Sequence, residues 1–110
     1  MIFIPSVDRN HNPIGQEVWA EECLAVLGQL FRGATAFPPG RGVWRDDEQD
    51  GLLVYDDTVL VTSYADPGAL TAEALSKLRR FLHRLGRAAN QGEVGIILGG
   101  SYYGIVEYDR

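Results

Sequence analysis

Two segments of the sequence repeat apolar residues at the spacing of a helix. In residues 16–31 the apolar side chains fall at i, i+4, i+7, i+8 and i+11, which places them on one face: Trp19, Cys23, Val26, Leu27 and Leu30. A second face of this kind runs to about residue 89: Ala74, Leu78, Phe81, Leu82 and Leu85. We expect the second helix to begin at Asp66-Pro67, or alternatively at Thr71, because each position offers a helix cap.

The segments between and beside these helices are typical of strands. Runs of β-branched and aromatic residues predict strands at residues 1–4, 34–37, 42–45, 52–64, 94–98 and 102–108. The longest run contains Asp56-Asp57, which suggests a bulge or bend and leaves open one long strand or two short ones. Gly33 is expected to end the first helix in a left-handed conformation.

The order of these elements predicts the fold class. Strand, helix, strands, helix, strands indicates an α+β fold, ferredoxin-like (split βαβ), with an antiparallel sheet, two helices on one face and an added C-terminal β-hairpin. A different mixed α+β topology is the alternative. The 110 residues, 45% of them hydrophobic, are enough for one core, so we expect a single domain spanning residues 1–110.

Composition disfavours several classes of function. The single cysteine, Cys23, excludes an intramolecular disulfide and a cysteine-based zinc cluster, and two histidines are too few for a histidine-rich metal site. The formal net charge of -5 disfavours long-range attraction to nucleic acid or to an anionic membrane. The first ten residues lack the features of a signal peptide, and no run approaches the roughly 20 apolar residues that span a bilayer. We therefore expect a cytoplasmic protein that does not associate with a membrane and holds no metal and no cofactor.

The connection from the first helix to the long strand has an unusual composition. It reads GATAFPPGRGVWRDDEQDG over residues 33–51. In one interpretation it is a hairpin in which Trp44 packs against Val54 or Tyr55 while the charged residues are solvated. In the other, the glycines let a ligand approach the backbone, and Arg41, Trp44 and Arg45 supply charge and a stacking plane.

The same segment carries a resemblance to known proteins. Together with GLLVYD, IPSVDRN and NQGEVGI, it resembles a group of small bacterial proteins of uncharacterised function. The G-x-G-x-W pattern and the strand after it are more loosely similar to bacterial lipoproteins for which a ferredoxin-like fold is expected. Neither resemblance implies an activity or catalytic residues.

The acidic end of this connection approximates a calcium-binding loop. Asp46, Glu48, Asp50 and Asp57 fall near the ligand positions of such a loop. However, Asp57 stands in place of the usual bidentate glutamate, and the residues from Leu52 onwards predict a strand instead of a helix. A solvated acidic turn is the favoured interpretation.

Asp8 and His11 are the candidate catalytic residues. They lie in a polar loop after the first strand and, with Glu22 nearby, could form an acid/base group. A metal bound by Asp8 could also activate water. The alternative is that these residues only form a polar loop. Cys23 lies on the apolar face of the first helix and is expected to be structural.

The second helix concentrates positive charge. Lys77, Arg80, Arg84 and Arg87 form a stripe at i, i+3, i+7 and i+10. Such a stripe could bind an acidic protein or, less favoured, the phosphates of a nucleic acid. The alternative is pairing within the chain to acids of the first helix: Glu17, Glu21 and Glu22.

The last strand suggests self-association. The run YYGIVEY would form a sheet edge, whose unpaired backbone groups can pair with another copy of the chain. A homodimer is therefore expected.

These observations favour a small interaction or regulatory module. It would be homodimeric and would bind a protein partner or a small ligand through Arg41, Trp44, Arg45 and the basic stripe of the second helix. The alternative is a small enzyme that acts on a phosphorylated or nucleic-acid substrate through Asp8 and His11. The sequence favours the module over an enzyme.

Overall fold

A computed structural model describes residues 1–109; Arg110, the last residue of the predicted domain, lies outside the described residues. The described part contains two α-helices and six strands. In chain order these are β1 (Ile2–Ile4), α1 (Gln16–Phe31), β2 (Thr35–Ala36), β3 (Gly40–Asp46), β4 (Leu52–Thr62), α2 (Ala72–Ala88), β5 (Val94–Leu98) and β6 (Ser101–Ile105).

The six strands form one antiparallel sheet. Its order is β2-β4-β1-β5-β6, and β3 pairs with the other end of β4. Along the chain, α1 connects β1 to β2, and in the sheet β4 lies between these two strands. Likewise, α2 connects β4 to β5, and β1 lies between them in the sheet. This is the split βαβ arrangement, so the predicted ferredoxin-like α+β fold with an added C-terminal hairpin is confirmed.

Both helices pack on one face of the sheet, because alternate strand residues point to that face. The strands contribute six buried apolar side chains, Ile2, Ile4, Val59, Val61, Val94 and Ile96, and the helices contribute residues such as Cys23, Leu27, Leu78, Phe81 and Leu85. The rings of Trp19 and Phe81 lie 6.3 Å apart and join α1 to α2. The residues between the buried ones along each strand therefore face away from the helices.

The helix bounds agree with the sequence pattern, but the residue that ends α1 and the favoured start of α2 differ from the prediction. The left-handed residue after α1 is Arg32, with φ 75°, and not Gly33. The second helix begins at Ala72, and the side chain of Thr71 caps it by accepting a hydrogen bond from the Ala74 amide. Asp66-Pro67 instead leads into a separate 3₁₀ turn, Pro67–Ala69. The alternative start is thus the one that the chain uses.

The predicted bulge at Asp56-Asp57 is wrong. β4 runs without a break, and its register is continuous through Arg41↔Asp57 and Gly42↔Asp56. The strand tolerates two adjacent aspartates because they point to opposite faces, where each reaches solvent or a polar partner. The second half of β4 therefore lies in the core, and its first half forms a hairpin with β3.

The C-terminal segment leaves the sheet earlier than predicted. β6 ends at Ile105, and the chain then turns towards α2, where Tyr108 packs over Gly86. The Tyr108 hydroxyl donates hydrogen bonds to the carbonyl oxygens of Gln91 and Ile105, at 3.0 and 3.1 Å. The helix has no side chain at residue 86, and the tyrosine ring uses that space.

In residues 1–109, neither helix has the length and apolar character needed to cross a membrane.

Replacing Gly86 and Gly28 with alanine tests this packing. Both glycines lie inside helices, where alanine is favoured by about 0.8–1.0 kcal/mol. A Cβ at Gly86 would lie 2.1 Å from Cε1 of Tyr108, whereas nothing lies within 4 Å of one at Gly28. We expect Gly28→Ala to stabilise the protein, and Gly86→Ala to destabilise it by about 1–3 kcal/mol because Tyr108 is displaced. Urea unfolding measures both free energies; equal stabilisation by the two changes would contradict this packing.

Candidate functional site

A groove lies on the face of the sheet that the helices leave open. It has a volume of about 720 Å³ and is lined by residues from 3–11, 44–49, 54–58 and 91–95. We call it the acidic groove after its six acidic side chains: Asp8, Asp46, Asp47, Glu48, Asp56 and Glu93. Its volume is in the range of pockets that hold a small organic molecule.

Asp56 is the most firmly positioned of these acids. The amide and hydroxyl of Ser6 both donate hydrogen bonds to its Oδ1 atom, and the Ser6 hydroxyl in turn accepts one from the Asp57 amide, at 3.3 Å. Because Asp56 lies on β4 and Ser6 in the loop after β1, these bonds tie the loop to the strand. One carboxylate oxygen is thereby fixed, and the half-buried side chain lines the groove.

Glu93 is held at the opposite side of the groove by Tyr102. The Tyr102 hydroxyl donates to Oε2 of Glu93 at 2.5 Å. The tyrosine ring lies over Gly95, and the Glu93 carboxylate lies over Gly104; a Cβ at either glycine would come within 2.7 Å of them. Tyr102 also makes an edge contact with the ring of Phe3, at 6.1 Å between centroids. The paired glycines of β5 and β6 thus make room for this tyrosine and this carboxylate.

Burial changes the acidity of Tyr102. Desolvation first, and then the hydrogen bond and charge of Glu93, raise the pKa of the Tyr102 hydroxyl above its ordinary value of 10.0. Tyr102 therefore remains a hydrogen-bond donor to Glu93 at every physiological pH.

The hairpin of β3 and β4 supplies the aromatic wall. Trp44 pairs with Val54, as one of the two interpretations predicts, and its side chain is 44% exposed on the groove side. Arg45 makes an ion pair with Asp47 at 2.6 Å. Arg41 points away from the groove and lies over the ring of Tyr55, 5.1 Å from its centroid. The three predicted hairpin residues are therefore divided between two faces.

Asp8 and His11 lie in the loop that forms another wall. Oδ1 of Asp8 accepts hydrogen bonds from the amides of Asn10 and Asn12, at 2.8 and 2.9 Å. The bond from the Asn12 backbone, and to a lesser extent that from Asn10, lowers the pKa of Asp8 below its ordinary value. These bonds close the turn in which His11 adopts a left-handed φ of 64°. Such an aspartate is suited to shaping the loop and is a weak base.

Gln91 anchors this loop to the end of α2. The side-chain amide of Gln91 donates a hydrogen bond to the Val7 carbonyl at 3.0 Å. The backbone carbonyl of Gln91 accepts hydrogen bonds from the Arg9 guanidinium at 2.6 Å and from the Tyr108 hydroxyl at 3.0 Å. The residue is 6% exposed, and the three bonds are partly buried. The loop is thereby held beside the sheet.

The groove has a negative electrostatic character. Its six acids are accompanied by two arginines, Arg9 and Arg45, and by His11. Arg9 and Arg45 are already used by the Gln91 carbonyl and by Asp47. The groove is therefore suited to a ligand with positive charge and unsuited to a polyanion.

The other candidate chemistries find little support. Burial raises the pKa of the Cys23 thiol to about 12, as suits a structural residue. Glu22 lies against Arg84 and does not join Asp8 and His11. The acids of the calcium-like spacing are separated, because Asp46 caps the 3₁₀ turn Asp47–Gln49 while Asp57 lies on β4. In residues 1–109, no group of three or more His, Cys, Asp or Glu side chains is placed to hold a metal ion.

The basic stripe of α2 lies in a different groove, on the helix side of the molecule. Lys77, Arg80, Arg84 and Arg87 line it, and none of them lines the acidic groove. Pairing to α1 is limited in the described residues to Arg84 with Glu22, at 2.9 Å; Lys77 pairs with Glu73 of its own helix. The predicted ligand-binding residues are thus dispersed: Trp44 and Arg45 line the acidic groove, the four cations of α2 line the other groove, and Arg41 lines neither.

Sequence reasoning placed Asp8, His11, Trp44 and Arg45 in the candidate sites and missed Asp56 and Glu93. The Asp56-Asp57 pair suggests a bulge or bend in a strand, although a single acid on the open face of a strand also indicates a site. Glu93 and its partner Tyr102 are nine residues apart and meet only because β5 and β6 pair. Gly95 in GEVGI and Gly104 in YYGI are the sequence features that this contact requires.

No known protein family and no curated protein matches the sequence. Two solved structures share the fold. One is a phage SAM lyase in complex with S-methyl-5'-thioadenosine, with a TM-score of 0.66 and 20% identity, covering 96% of this chain and 86% of that one. The other is a phage SAM lyase in the apo state, with a TM-score of 0.61 and 19% identity over the same shares. At this identity the likeness establishes a common fold.

Both solved structures are of an enzyme. This finding contradicts the sequence-based preference for a module without catalytic activity.

The Glu93–Tyr102 contact predicts a late tyrosine ionisation. Since folding raises the pKa of Tyr102, the contribution of this group to stability is complete below the ordinary tyrosine pKa and is lost as the pH rises through the higher folded-state value. In a spectrophotometric titration, Tyr102→Phe should remove an ionisation that lies above pH 10.0. Glu93→Gln should move that ionisation to lower pH. If the ionisation that Tyr102→Phe removes has instead the ordinary tyrosine pKa, this contact is absent.

Proposed function

We propose that the chain is an enzyme that binds S-adenosylmethionine, or a closely related sulfonium nucleoside, in the acidic groove and cleaves it as a lyase. The observation that carries the proposal is the groove itself, which presents acids and an exposed tryptophan. It occurs in a chain that shares its fold, over nearly all of its length, with a phage SAM lyase.

The charge of the substrate suits the groove. S-adenosylmethionine has a sulfonium and an ammonium group and one carboxylate, so its net charge is positive. A groove with an excess of carboxylates attracts such a molecule and repels phosphates. The proposal therefore keeps the enzymatic alternative of the sequence analysis but replaces its phosphorylated or nucleic-acid substrate with a cationic nucleoside.

The proposed reaction breaks the bond between sulfur and the γ-carbon of the amino-acid arm. The bonding electron pair stays on sulfur, which becomes the neutral thioether of S-methyl-5'-thioadenosine. A lyase adds no water, and the carboxylate of the arm can attack its own γ-carbon to close a five-membered lactone. Charge balances, because the lactone keeps the ammonium group. The enzyme has then to fold the arm and hold both ends of the substrate.

Two residues of the groove suit these tasks. Asp56, fixed by Ser6, is proposed to bind the ammonium group, whose charge persists through the reaction. A carboxylate beside the sulfonium would instead favour the ground state, because the charge on sulfur is lost as the bond breaks. Trp44 is proposed to stack on the adenine, since its face is exposed in the groove.

We also propose that the chain is cytoplasmic and forms a homodimer. A cytoplasmic location agrees with the unpaired, buried Cys23. Self-association as a homodimer is supported by β6, which is a sheet edge in the structure.

The first test is conversion of S-adenosylmethionine by the purified full chain, with S-methyl-5'-thioadenosine measured by liquid chromatography and mass spectrometry. Asp56→Asn should lower kcat/KM by about 10- to 100-fold, mainly through KM, because a charge-assisted hydrogen bond contributes about 1.5–3 kcal/mol. Asp57→Asn is the matched control: it makes the same change on the next residue of β4, whose side chain points to the other face. Its kcat/KM should stay close to that of the unaltered chain.

A chain that neither converts nor binds S-adenosylmethionine, although folded by circular dichroism, would refute the proposed function. Equal losses for the two aspartate variants would refute the role of Asp56 alone.

The role of Trp44 is tested by its replacement with leucine. Base stacking on an aromatic side chain contributes about 1–3 kcal/mol, so Trp44→Leu should weaken binding of S-methyl-5'-thioadenosine by about 5- to 100-fold in calorimetry. Trp44→Phe should retain much of the affinity. Tyr55→Leu, which alters an aromatic residue on the opposite face of the hairpin, serves as the control and should bind normally. If Trp44→Leu binds as well as the control, adenine does not stack on this residue.

A further inference from the structure

A basic groove lies along α2. It has a volume of about 540 Å³ and is lined by residues of α2, by Val26 of α1 and by Asp109 of the segment that follows β6. Five cationic side chains of one helix line it: Lys77, Arg79, Arg80, Arg84 and Arg87. This concentration is notable in a chain whose net charge is -5. The groove therefore attracts a group with negative charge.

An acidic residue of the chain itself already occupies part of this groove. The carboxylate of Asp109 pairs with Arg79 at 2.7 Å, the Asp109 carbonyl accepts a hydrogen bond from Arg87, and the Asp109 amide donates to Nδ1 of His83 at 2.8 Å. The Arg79 guanidinium, first by its hydrogen bond and then by its charge, lowers the pKa of the Asp109 carboxyl, so this group stays ionised at neutral pH. The groove thus recognises one residue at three points.

These three contacts distinguish a peptide from a nucleic acid. Arg79 pairs with an acidic side chain, Arg87 donates to a backbone carbonyl, and His83 accepts from a backbone N–H. A phosphodiester offers acceptors to the arginines but has no donor for Nδ1 of His83. His83 is 7% exposed and its ring packs edge-on against Tyr108, so its position is fixed by the core. The geometry therefore fits an extended acidic peptide.

The acidic partners of two other cations of the groove are exposed. Lys77 pairs with Glu73 and Arg84 with Glu22, in both cases between side chains that are 42–79% exposed. Arg84 also lies over the rings of Trp19 and Phe81, which hold its guanidinium in place whichever acid it pairs with. Exposed ion pairs are weak and exchange readily with other partners. A longer acidic segment can therefore extend along the helix beyond the position of Asp109.

We propose that the basic groove is a docking site for an extended acidic segment of a partner protein, and that Asp109 occupies one position of this site in the free chain. This surface is separate from the acidic groove, so the inference does not depend on the proposed lyase activity. An incoming segment competes with Asp109 for Arg79 and Arg87.

The test uses a peptide as the probe, with two-dimensional NMR of the isotope-labelled full chain at low salt. The peptide Ile-Val-Glu-Tyr-Asp, blocked at both ends, reproduces residues 105–109, and its Gln/Asn version is the uncharged control. Asp109→Ala should bind the acidic peptide about two- to fivefold more tightly than the unaltered chain, because the carboxylate that pairs with Arg79 is removed while the backbone contacts of residue 109 remain. Shifts should concentrate at residues 77–87 and decrease with added salt.

Matched variants identify the receptor. In the Asp109→Ala background, Arg79→Gln should abolish the shifts, whereas Arg32→Gln, which removes an exposed arginine at the end of α1, should leave them unchanged. Equal binding of the uncharged peptide, or shifts that survive Arg79→Gln, would overturn the proposal. Stronger shifts of the same residues with a single-stranded oligonucleotide would overturn it in favour of nucleic acid. Thermal unfolding verifies that each variant is folded.

Discussion

Backbone pairing along β4 is the constraint on which the rest of the structure depends. Its second half, through Val59 and Val61, pairs with β1 and β2 and carries the helices. Its first half pairs with β3 and leaves the core to form the wall of the acidic groove. Because a strand alternates its side chains, the residues that follow one another along β4 are divided between core and groove. The ladders on the two halves of β4 therefore fix the position of Asp56 relative to the core.

The sequence was sufficient for features set by local periodicity and insufficient for those set by distant contacts. The face of α1 and the fold order follow from spacing alone, and of the two partners that the sequence left open for Trp44, Val54 and Tyr55, the structure pairs it with Val54. The start of α2 was ambiguous because two capping signals lie five residues apart, and only packing decides between them. Asp56 and Glu93 were missed because their partners, Ser6 and Tyr102, reach them only through the fold. For the same reason, the sequence could not show that the predicted hairpin and helix residues lie on separate surfaces.

The two grooves differ in the sign of their charge, although they belong to one small chain. A net charge of -5 describes neither of them. The chain separates the two kinds of charge by secondary structure: acids lie on the hairpin and loops of the open face, and cations lie on one helix of the covered face. A ligand of either charge would therefore meet its own groove and need not compete with the other. This separation also explains why a reading of composition alone gave little guidance on function.

A single backbone oxygen lies between these two surfaces. The Gln91 carbonyl accepts hydrogen bonds from Arg9, in the loop of the acidic groove, and from Tyr108, beside the residue that occupies the basic groove. A carbonyl oxygen has two lone pairs, so both bonds form at once. The loop of the acidic groove and the C-terminal segment are therefore fastened to the same buried residue, and a change that moves Gln91 disturbs a wall of each groove.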